Sequence, residues 1–560
     1  MLVLGIEGTA WCASAALYDA ETDSVLIESN PYEPDSGGIH PREAAEHMSE
    51  AIPEVVDAVL TAAEREYGPD AIDAVAFSRG PGLGPCLRTV GTAARALAGT
   101  LDVPLVGVNH MVAHLEIGRH RSGFENPVCL NASGANAHLL GYHDGRYRVL
   151  GETMDAGVGN AIDKFTRHVG WDHPGGPKVE AAAADADPDD LLELPYVVKG
   201  MDFSFSGISS AANDAFDDGI AVERICFALQ EHVFAMLTEV SERALSLTGA
   251  DELVLGGGVA QNDRLREMLR TMCDARGAAF FAPEPRFLRD NAGMIAVLGA
   301  KMAAAGDTVP IAESAIDPNF RPDQVPVTWR DGASVTRAAA DGDAGPDDTG
   351  GPAHGGAKHR GAEATLAFVD DDRDGVRVVK RRVPKTYRHP ELDRTLRRDR
   401  TVAEARLTSE ARRAGVPTPL VYDVDVPNAT LTLQHVGERD LADDLDAAWT
   451  ASVGRHLARL HDAGIVHGDP TTRNVRVGRD RTANRQDDGP RTSLIDFGLA
   501  FHTGHVEDHA MDLHVFEGAV RATAADPDPL IEAFEDGYAA VGDGSVLERL
   551  RDVERRGRYQ

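Results

Sequence analysis

The chain is poor in cysteine, short of positive charge and without any long apolar run. Its five cysteines (Cys12, Cys86, Cys129, Cys226 and Cys273) are scattered through 560 residues with no CxxC pair. That spacing excludes a disulfide framework and a cysteine-based zinc site, and it points to a reducing cytosol. The start, MLVLGIEGTAW, has no basic leader and carries Glu7 inside its apolar run. Neither a signal peptide nor a membrane span is expected, so the chain is read as cytoplasmic with no membrane partner.

Lys and Arg total 56 against 90 Asp and Glu, a formal net charge of −34. Apolar content is ordinary at 42%, which argues against a disordered acidic chain. The expectation is a folded protein with an acidic surface, similar to proteins of organisms whose cytoplasm is loaded with salt. Such charge normally opposes nucleic-acid binding, because Lys and Arg must displace counterions from phosphates. At molar salt the Debye length falls to about 3 Å, so only local contacts count and RNA is not excluded.

The length predicts two to four domains. One stretch, 331–360, is rich in Gly, Ala, Asp and Pro and nearly free of large apolar residues. It cannot support a core and reads as a linker. The division is 1–325, a linker over 326–360, and 361–560. A second polar insert, 480–490, reads as a surface loop.

The first part alternates strand-like and helix-like segments, the mark of an α/β fold. Two cycles each open with a strand, Gly and a hairpin, which suggests an internal duplication. Three Gly-rich turns follow predicted strands: GIEGTA (5–10), NASGAN (131–136) and GGGVAQN (256–262). Small residues there let backbone amides approach a phosphate or nucleotide. In NHMVAHLE, His110 and His114 lie four apart on one helical face. That spacing suits a metal pair, and equally a satisfied buried pair or a helix surface. A zincin would need Glu directly after the first His; here it is Met111.

The strings SRGPGLGPCLRTVGTAARALA, NHMVAHLE, SGAN, DAGVGNAIDKF, HPGGPKVE, FSFSGI, GGGVAQNDRLR and DNAGMIA run in order through 1–325. On these, this part resembles the tRNA threonylcarbamoyladenosine transferase family. The resemblance implies a duplicated actin/Hsp70-like ATPase fold with a nucleotide cleft. It also implies transfer of threonylcarbamoyl from threonylcarbamoyl-AMP to the exocyclic amine of the adenine 3′ of a tRNA anticodon. The implied metal ligands are His110, His114 and Asp290, for one divalent ion, Fe or Zn, with Fe suggested by the family. The implied adenylate-binding residues are Asn131, Ala132, Ser133, Gly134, Ala135, Asp163, Gly176, Glu180 and Asn262. Asp163 and Glu180 would suit ribose hydroxyls, or could equally serve as helix caps or surface carboxylates. Two positions depart from the pattern. Asn131 stands where many relatives have a ligating Tyr, and Trp11 where many have His. A carboxamide oxygen is a weak neutral donor, so the site is less tight, uses water, or has another ligand.

The second part carries VVK at 378–380, HGDPTTRN at 467–474 and IDFG at 495–498. In that order they form the catalytic skeleton of a protein kinase. Lys380 would contact phosphates and Glu404 would be its helix partner. Asp469 is the catalytic-loop carboxylate, and Asn474 and Asp496 would hold Mg²⁺. A GxGxxG loop is missing, and GAEA (Gly361, Ala362, Glu363, Ala364) takes its place over ATP. No APE motif follows DFG. On KTYRHPELD, EARLTSEARRAGVPTP and HGDPTTRN this part resembles the small atypical, RIO-related Ser/Thr kinase of the KEOPS complex, in a haloarchaeal type of fusion. The resemblance implies a small two-lobed α+β kinase domain that uses Mg-ATP, mainly for hydrolysis in support of tRNA modification. The partners it implies are tRNA and other KEOPS subunits. Two basic stretches, RRVPKTYRHPELDRTLRRDR and the RRGRYQ tail, could meet tRNA phosphates; the first could equally be a solvated helix face. The residues leave two rivals open: a signalling kinase under a regulatory ATPase, and a scaffold whose N-terminal site has decayed at Asn131.

Overall fold

A computed structural model describes residues 1–32, 40–134, 136–143, 145–330, 358–371, 375–478 and 491–556. Most of the expected linker, the 480–490 insert, Ala135 and the last four residues of the basic tail lie outside the described residues.

The first sheet opens with an antiparallel meander of β1 (Leu2–Glu7), β2 (Cys12–Asp19) and β3 (Ser24–Pro31). Helix α1 (Pro41–Tyr67) then leads to β4 (Ala74–Gly80), and α2 (Gly84–Leu101) leads to β5 (Leu105–Asn109). The order is β3-β2-β1-β4-β5, with β1, β4 and β5 parallel. Every residue of β1 and β2 is buried, as expected for strands covered on both faces.

The second sheet repeats this plan. Helix α3 (His110–Ser122) joins β5 to a meander of β6 (Val128–Ala132), β7 (Ala137–His143) and β8 (Arg146–Glu152). Helices α4 (Val158–His168) and α5 (Gly176–Ala184), the short strands β9 (Val198–Lys199) and β10 (Asp202–Phe203), and helices α6 (Ser206–Asp217) and α7 (Val222–Thr248) follow. Next come β11 (Glu252–Gly256), α8 (Asp263–Arg276) and β12 (Ala279–Phe281). The order β12-β11-β6-β7-β8 mirrors the first sheet, with β6, β11 and β12 parallel. The duplication read from two strand–Gly–hairpin starts is therefore real at the level of topology.

After the short α9 (Pro285–Leu288), α10 (Ala292–Ala304) closes the second repeat as α3 closes the first. Each of these helices packs mainly into the apolar layer between the sheets, where Val112, Leu115, Met294 and Val297 are buried together. Their N-termini have matching caps: the Asn109 side chain accepts from Val112 N, and the Asn291 side chain accepts from Met294 N. Two equivalent helix starts thus face one another across the repeat boundary.

The C-terminal part opens with a five-stranded antiparallel sheet, β13 (Lys358–Arg360), β14 (Ala364–Asp371), β15 (Gly375–Arg382), β16 (Val421–Asp425) and β17 (Thr430–Gln434). Helix α11 (Pro390–Arg413) lies with it. A larger helical lobe contains α12 (Ala447–Asp462), α13 (Val506–Thr523), α14 (Asp528–Ala539) and α15 (Gly544–Arg556) around buried Leu457, Phe516 and Phe534. GAEA forms the turn from β13 into β14, closed by Gly361 N donating to Ala364 O at 2.9 Å.

The two parts touch through β8 and the β9–β10 turn, and through α7, where Arg243 Nη1 donates to Asp469 Oδ2 at 2.9 Å. Gly200 N donates to Gly468 O at 2.7 Å, Lys199 Nζ meets Asp508 Oδ1 at 2.8 Å, and Arg148 Nη2 donates to Ala524 O at 3.0 Å. Among the described residues, no helix is long and apolar enough to cross a membrane.

Candidate active sites in the two halves

The first site forms where α3 and α10 begin. His110 and His114 project from the first turns of α3, and Asp290 directly precedes the Asn291 cap of α10. One ligand atom from each of the three lies within 4.8 Å of the others. Both His114 Nε2 (3.2 Å) and His110 Nε2 (3.4 Å) meet Asp290 Oδ1. The sequence-predicted trio, drawn from positions 180 residues apart, is therefore brought together.

A supporting layer surrounds it. His110 Nδ1 pairs with Glu7 Oε2 at 3.2 Å, and Trp11 Nε1 donates to Asp290 Oδ2 at 3.0 Å. Glu7 is itself held by Thr9, through N at 2.8 Å and Oγ1 at 2.6 Å, and by the Ser78 hydroxyl. Such outer partners fix ring orientation and ligand basicity in metal sites. Trp11, a departure from the family pattern, thus holds the Asp290 carboxylate by a hydrogen bond.

Electrostatics mark the same place. Burial opposes charge on His110, but Glu7 and Asp290 outweigh it and lift its pKa to about 10. Burial likewise opposes the Asp290 carboxylate, yet His110 and His114 hold it well below the usual range. Burial lowers His114. The cluster is thus built to hold positive charge. His114 Nδ1 and Asn131 Oδ1 are buried without hydrogen-bond partners among the described residues. With two imidazoles, a carboxylate and these orphaned atoms, the residues present fit a divalent metal.

The Gly-rich turns meet at the carboxyl ends of the parallel strands β6 and β11, where ligands gather in α/β folds. The chain folds tightly here because several backbones touch. A Cβ on Gly257, whose φ is +87°, would lie 2.2 Å from Ala132 O, and one on Gly159 would lie 2.6 Å from Gly134 Cα. Asp163 Oδ1 accepts from Gly175 N at 2.8 Å, while Gly176 faces open space. Glu180 Oε1 accepts from Asp263 N at 2.9 Å. Asn262 caps α8, accepting from Arg264 N and Leu265 N. Ala132 and Gly134 thus lie against Gly257 and Gly159, while Asp163, Glu180 and Asn262 each have a backbone partner; Ala135 lies outside the described residues. Those partners are of the structural kind that the sequence left open for Asp163 and Glu180.

The second site lies between the lobes of the C-terminal part. Lys380 Nζ bridges Glu404 Oε1 at 2.8 Å and Asp496 Oδ1 at 2.6 Å. Asn474 Nδ2 donates to Asp469 Oδ2 at 2.9 Å. Gly468 N and His467 N each donate to Asp512, which steadies the catalytic loop. All five residues singled out in the sequence, Lys380, Glu404, Asp469, Asn474 and Asp496, thus lie together. Burial, with Asp496 and Glu363 adding and Arg243 and Asn474 opposing, pushes Asp469 up to about 7. This crowding of carboxylates fits a hard cation.

Sequence reasoning missed Arg243, Arg382 and His138, and for Trp11 it gave no partner. Arg382 Nη2 meets Glu404 Oε2 at 2.9 Å. His138 is 2% exposed, and burial, with His114 and His110 nearby, holds it neutral with a pKa of about 3.

Residues 22–297 match the family model described as tRNA N6-adenosine threonylcarbamoyltransferase. The whole chain is 68% identical to a "probable bifunctional tRNA threonylcarbamoyladenosine biosynthesis protein" of Halobacterium salinarum, covering 100% of this chain and 99% of that one. This chain belongs to that bifunctional family. Relatives of the same name in Haloquadratum walsbyi and Methanospirillum hungatei are 65% and 48% identical, each over 100% of this chain and 100% and 99% of theirs. Among solved structures, a HypF from T.kodakarensis is similar over 53% of this chain and 47% of its own, at 14% identity and a TM-score of 0.37. The Rio2 kinase of Chaetomium thermophilum is similar over 36% and 72%, at 15% identity and a TM-score of 0.27. Within the family, this chain joins a duplicated α/β part to a second part made of a five-stranded sheet and a helical lobe.

Proposed function

We propose that this chain is a bifunctional tRNA-modifying enzyme. Its residues 1–325 transfer threonylcarbamoyl from threonylcarbamoyl-AMP to the exocyclic amine of the adenine 3′ of the anticodon in tRNA. Residues 361–560, beyond a linker over 326–360, form an atypical Ser/Thr kinase and ATPase that supports transfer within a cytoplasmic KEOPS complex. The observation carrying this reading is the His110–His114–Asp290 group, with the Gly-rich turns packed together at the ends of β6 and β11.

In this reading Ser133, Gly134 and Gly176 seat the AMP leaving group through their backbone, and Asp163, Glu180 and Asn262 bind its ribose and base. His110, His114 and Asp290 would hold one divalent ion, with iron the family's suggestion and Asn131 a weak additional donor. When bound, that ion supplies Lewis-acid polarisation and an anchor for the threonyl carboxylate or carbamoyl oxygen. Glu7 and Trp11 orient His110 and Asp290 for it.

In the kinase half, Lys380, fixed by Glu404, contacts phosphate oxygens, and the turn at Gly361, Ala362, Glu363 and Ala364 covers them. Asn474 and Asp496 would hold Mg²⁺ with ATP, and Asp469 orients the attacking hydroxyl or water.

The test is transfer of labelled threonylcarbamoyl from its adenylate to unmodified tRNA, in molar salt with the other subunits. The native chain is expected to label the tRNA. Adenylate binding without transfer would contradict the reading and favour a decayed scaffold.

A further inference from the structure

Three buried side chains beside the metal-ligand group hold polar atoms with no hydrogen-bond partner among the described residues: His114 Nδ1, Asn131 Oδ1, and both ring nitrogens of His138. A buried polar group without a partner is costly, and such groups in one place mark something that binds there. The three are adjacent for a structural reason. In the antiparallel pair β6–β7, Asn131 is directly opposite His138, so the two side chains rise from the same face of the sheet. Helix α3 packs on that sheet and delivers His110 and His114 close enough for their charge to act on His138.

The tight trio of His110, His114 and Asp290 does not include His138. Three donors leave a divalent ion with open positions, and Asn131 offers only a neutral carboxamide oxygen. An imidazole with no other engagement, 2% exposed and on the same face as that Asn, is a donor still free to reach the group. A structural core histidine would have at least one ring nitrogen paired, as His232 does with Ala228 O at 2.8 Å.

We propose that His138 is a further protein ligand of the metal centre, its imidazole completing the site that His110, His114 and Asp290 begin. The inference rests on the metal-centre reading above and deepens it. The ring is unpinned at both nitrogens, so turning it toward the ion breaks no hydrogen bond. Asn131 then serves as the neighbour whose oxygen accepts from the ring or fills a weaker position.

The experiment uses the full chain loaded with Co²⁺ in molar KCl. X-ray absorption should count three imidazoles on native protein and two on His138→Gln, as on His114→Ala. Co²⁺ affinity of His138→Gln should fall by about 10–100-fold or more. Melting of the metal-free His138→Gln chain, compared with metal-free native, shows whether the fold is kept. A second variant, His138→Cys, should gain a thiolate-to-cobalt charge-transfer band in the near ultraviolet, which only a side chain reaching the metal can produce. Two imidazoles on the native site with no such band in His138→Cys would overturn the inference and leave the metal reading standing. No Co²⁺ bound by native protein would overturn both.

Discussion

Arg243 of α7, in the transferase part, reaches into the kinase site and donates from Nη1 to Asp469 Oδ2 at 2.9 Å. The same guanidinium binds Glu239 Oε1 at 2.9 Å through Nη2 and also pairs with Glu363 of the β13–β14 turn. Arg388 Nη2 (2.6 Å) and Arg400 Nη1 (3.0 Å) converge on Glu239 from the other side. Buried charges survive only when paired this closely. One cation of the first half therefore holds the pKa of Asp469 in the second half down against the effect of burial.

The pH dependence of ATP turnover follows from that contact. Asp469 must be ionised to orient a nucleophile, and its pKa is about 7 because burial raises it more than Arg243 and Asn474 lower it. ATP hydrolysis should therefore rise with pH through about 7. Arg243→Met removes a cation that holds the pKa down, so this limb should move to higher pH. Rate profiles of the native and variant chains between pH 6 and pH 9 check it; an unmoved limb would separate Arg243 from Asp469 chemistry.

Trp11 holds the metal group from outside. Its Nε1 hydrogen bond to Asp290 Oδ2 orients the carboxylate toward the two histidines. Trp11→Phe keeps the ring's bulk and deletes the donor. Metal affinity should drop by about 10–100-fold, read by competition with a chromophoric chelator. ATP turnover in the other half should be unchanged.

Asp202 gives a stability test. Burial, with Glu152 adding, raises its pKa from 3.8 to about 7, while Glu152 N donates to its Oδ1 at 2.8 Å. Between those two values the folded chain keeps a proton that the unfolded chain has released. Linkage then makes folded stability fall as pH rises through that window. Asp202→Asn keeps the acceptor oxygen and removes the titration. Its stability relative to native should increase from pH 4 to pH 7 and then level off, by a few kcal/mol at most at about 1.4 kcal/mol per unit. Chemical unfolding at several pH values measures this; a constant difference would contradict it.

Gly257 tests the packing of the Gly-rich turns. Its φ of +87° and the 2.2 Å approach of a Cβ to Ala132 O leave no room for a side chain. Gly257→Ala should shift the β6 turn, weaken adenylate binding by at least tenfold, and cost about 1–3 kcal/mol of stability through strain. Adenylate titration of the variant reads the first effect directly.

Much of this arrangement was legible in the sequence, because local patterns carried it. The alternation of strands and helices, the Gly turns after β6 and β11, and the His110–His114 spacing are all short-range signals. So are the order and spacing of Lys380, Asp469, Asn474 and Asp496. What stayed hidden depends on long-range contact. Arg243 meets Asp469 across 226 residues and Trp11 meets Asp290 across 279, and no periodicity records either. His138 looked like an ordinary strand residue because only the β6–β7 register sets it opposite Asn131. Glu7 was visible as a charge inside an apolar strand, yet only its pairing with His110 gives that charge a purpose.

The most direct test of two linked activities on one chain is to measure tRNA labelling and ATP hydrolysis together, in molar salt, for native protein, His110→Ala and Asp469→Asn. The account predicts that His110→Ala loses labelling and still hydrolyses ATP. Asp469→Asn should lose hydrolysis while keeping a first round of labelling. Undiminished labelling by His110→Ala would contradict the account at its centre.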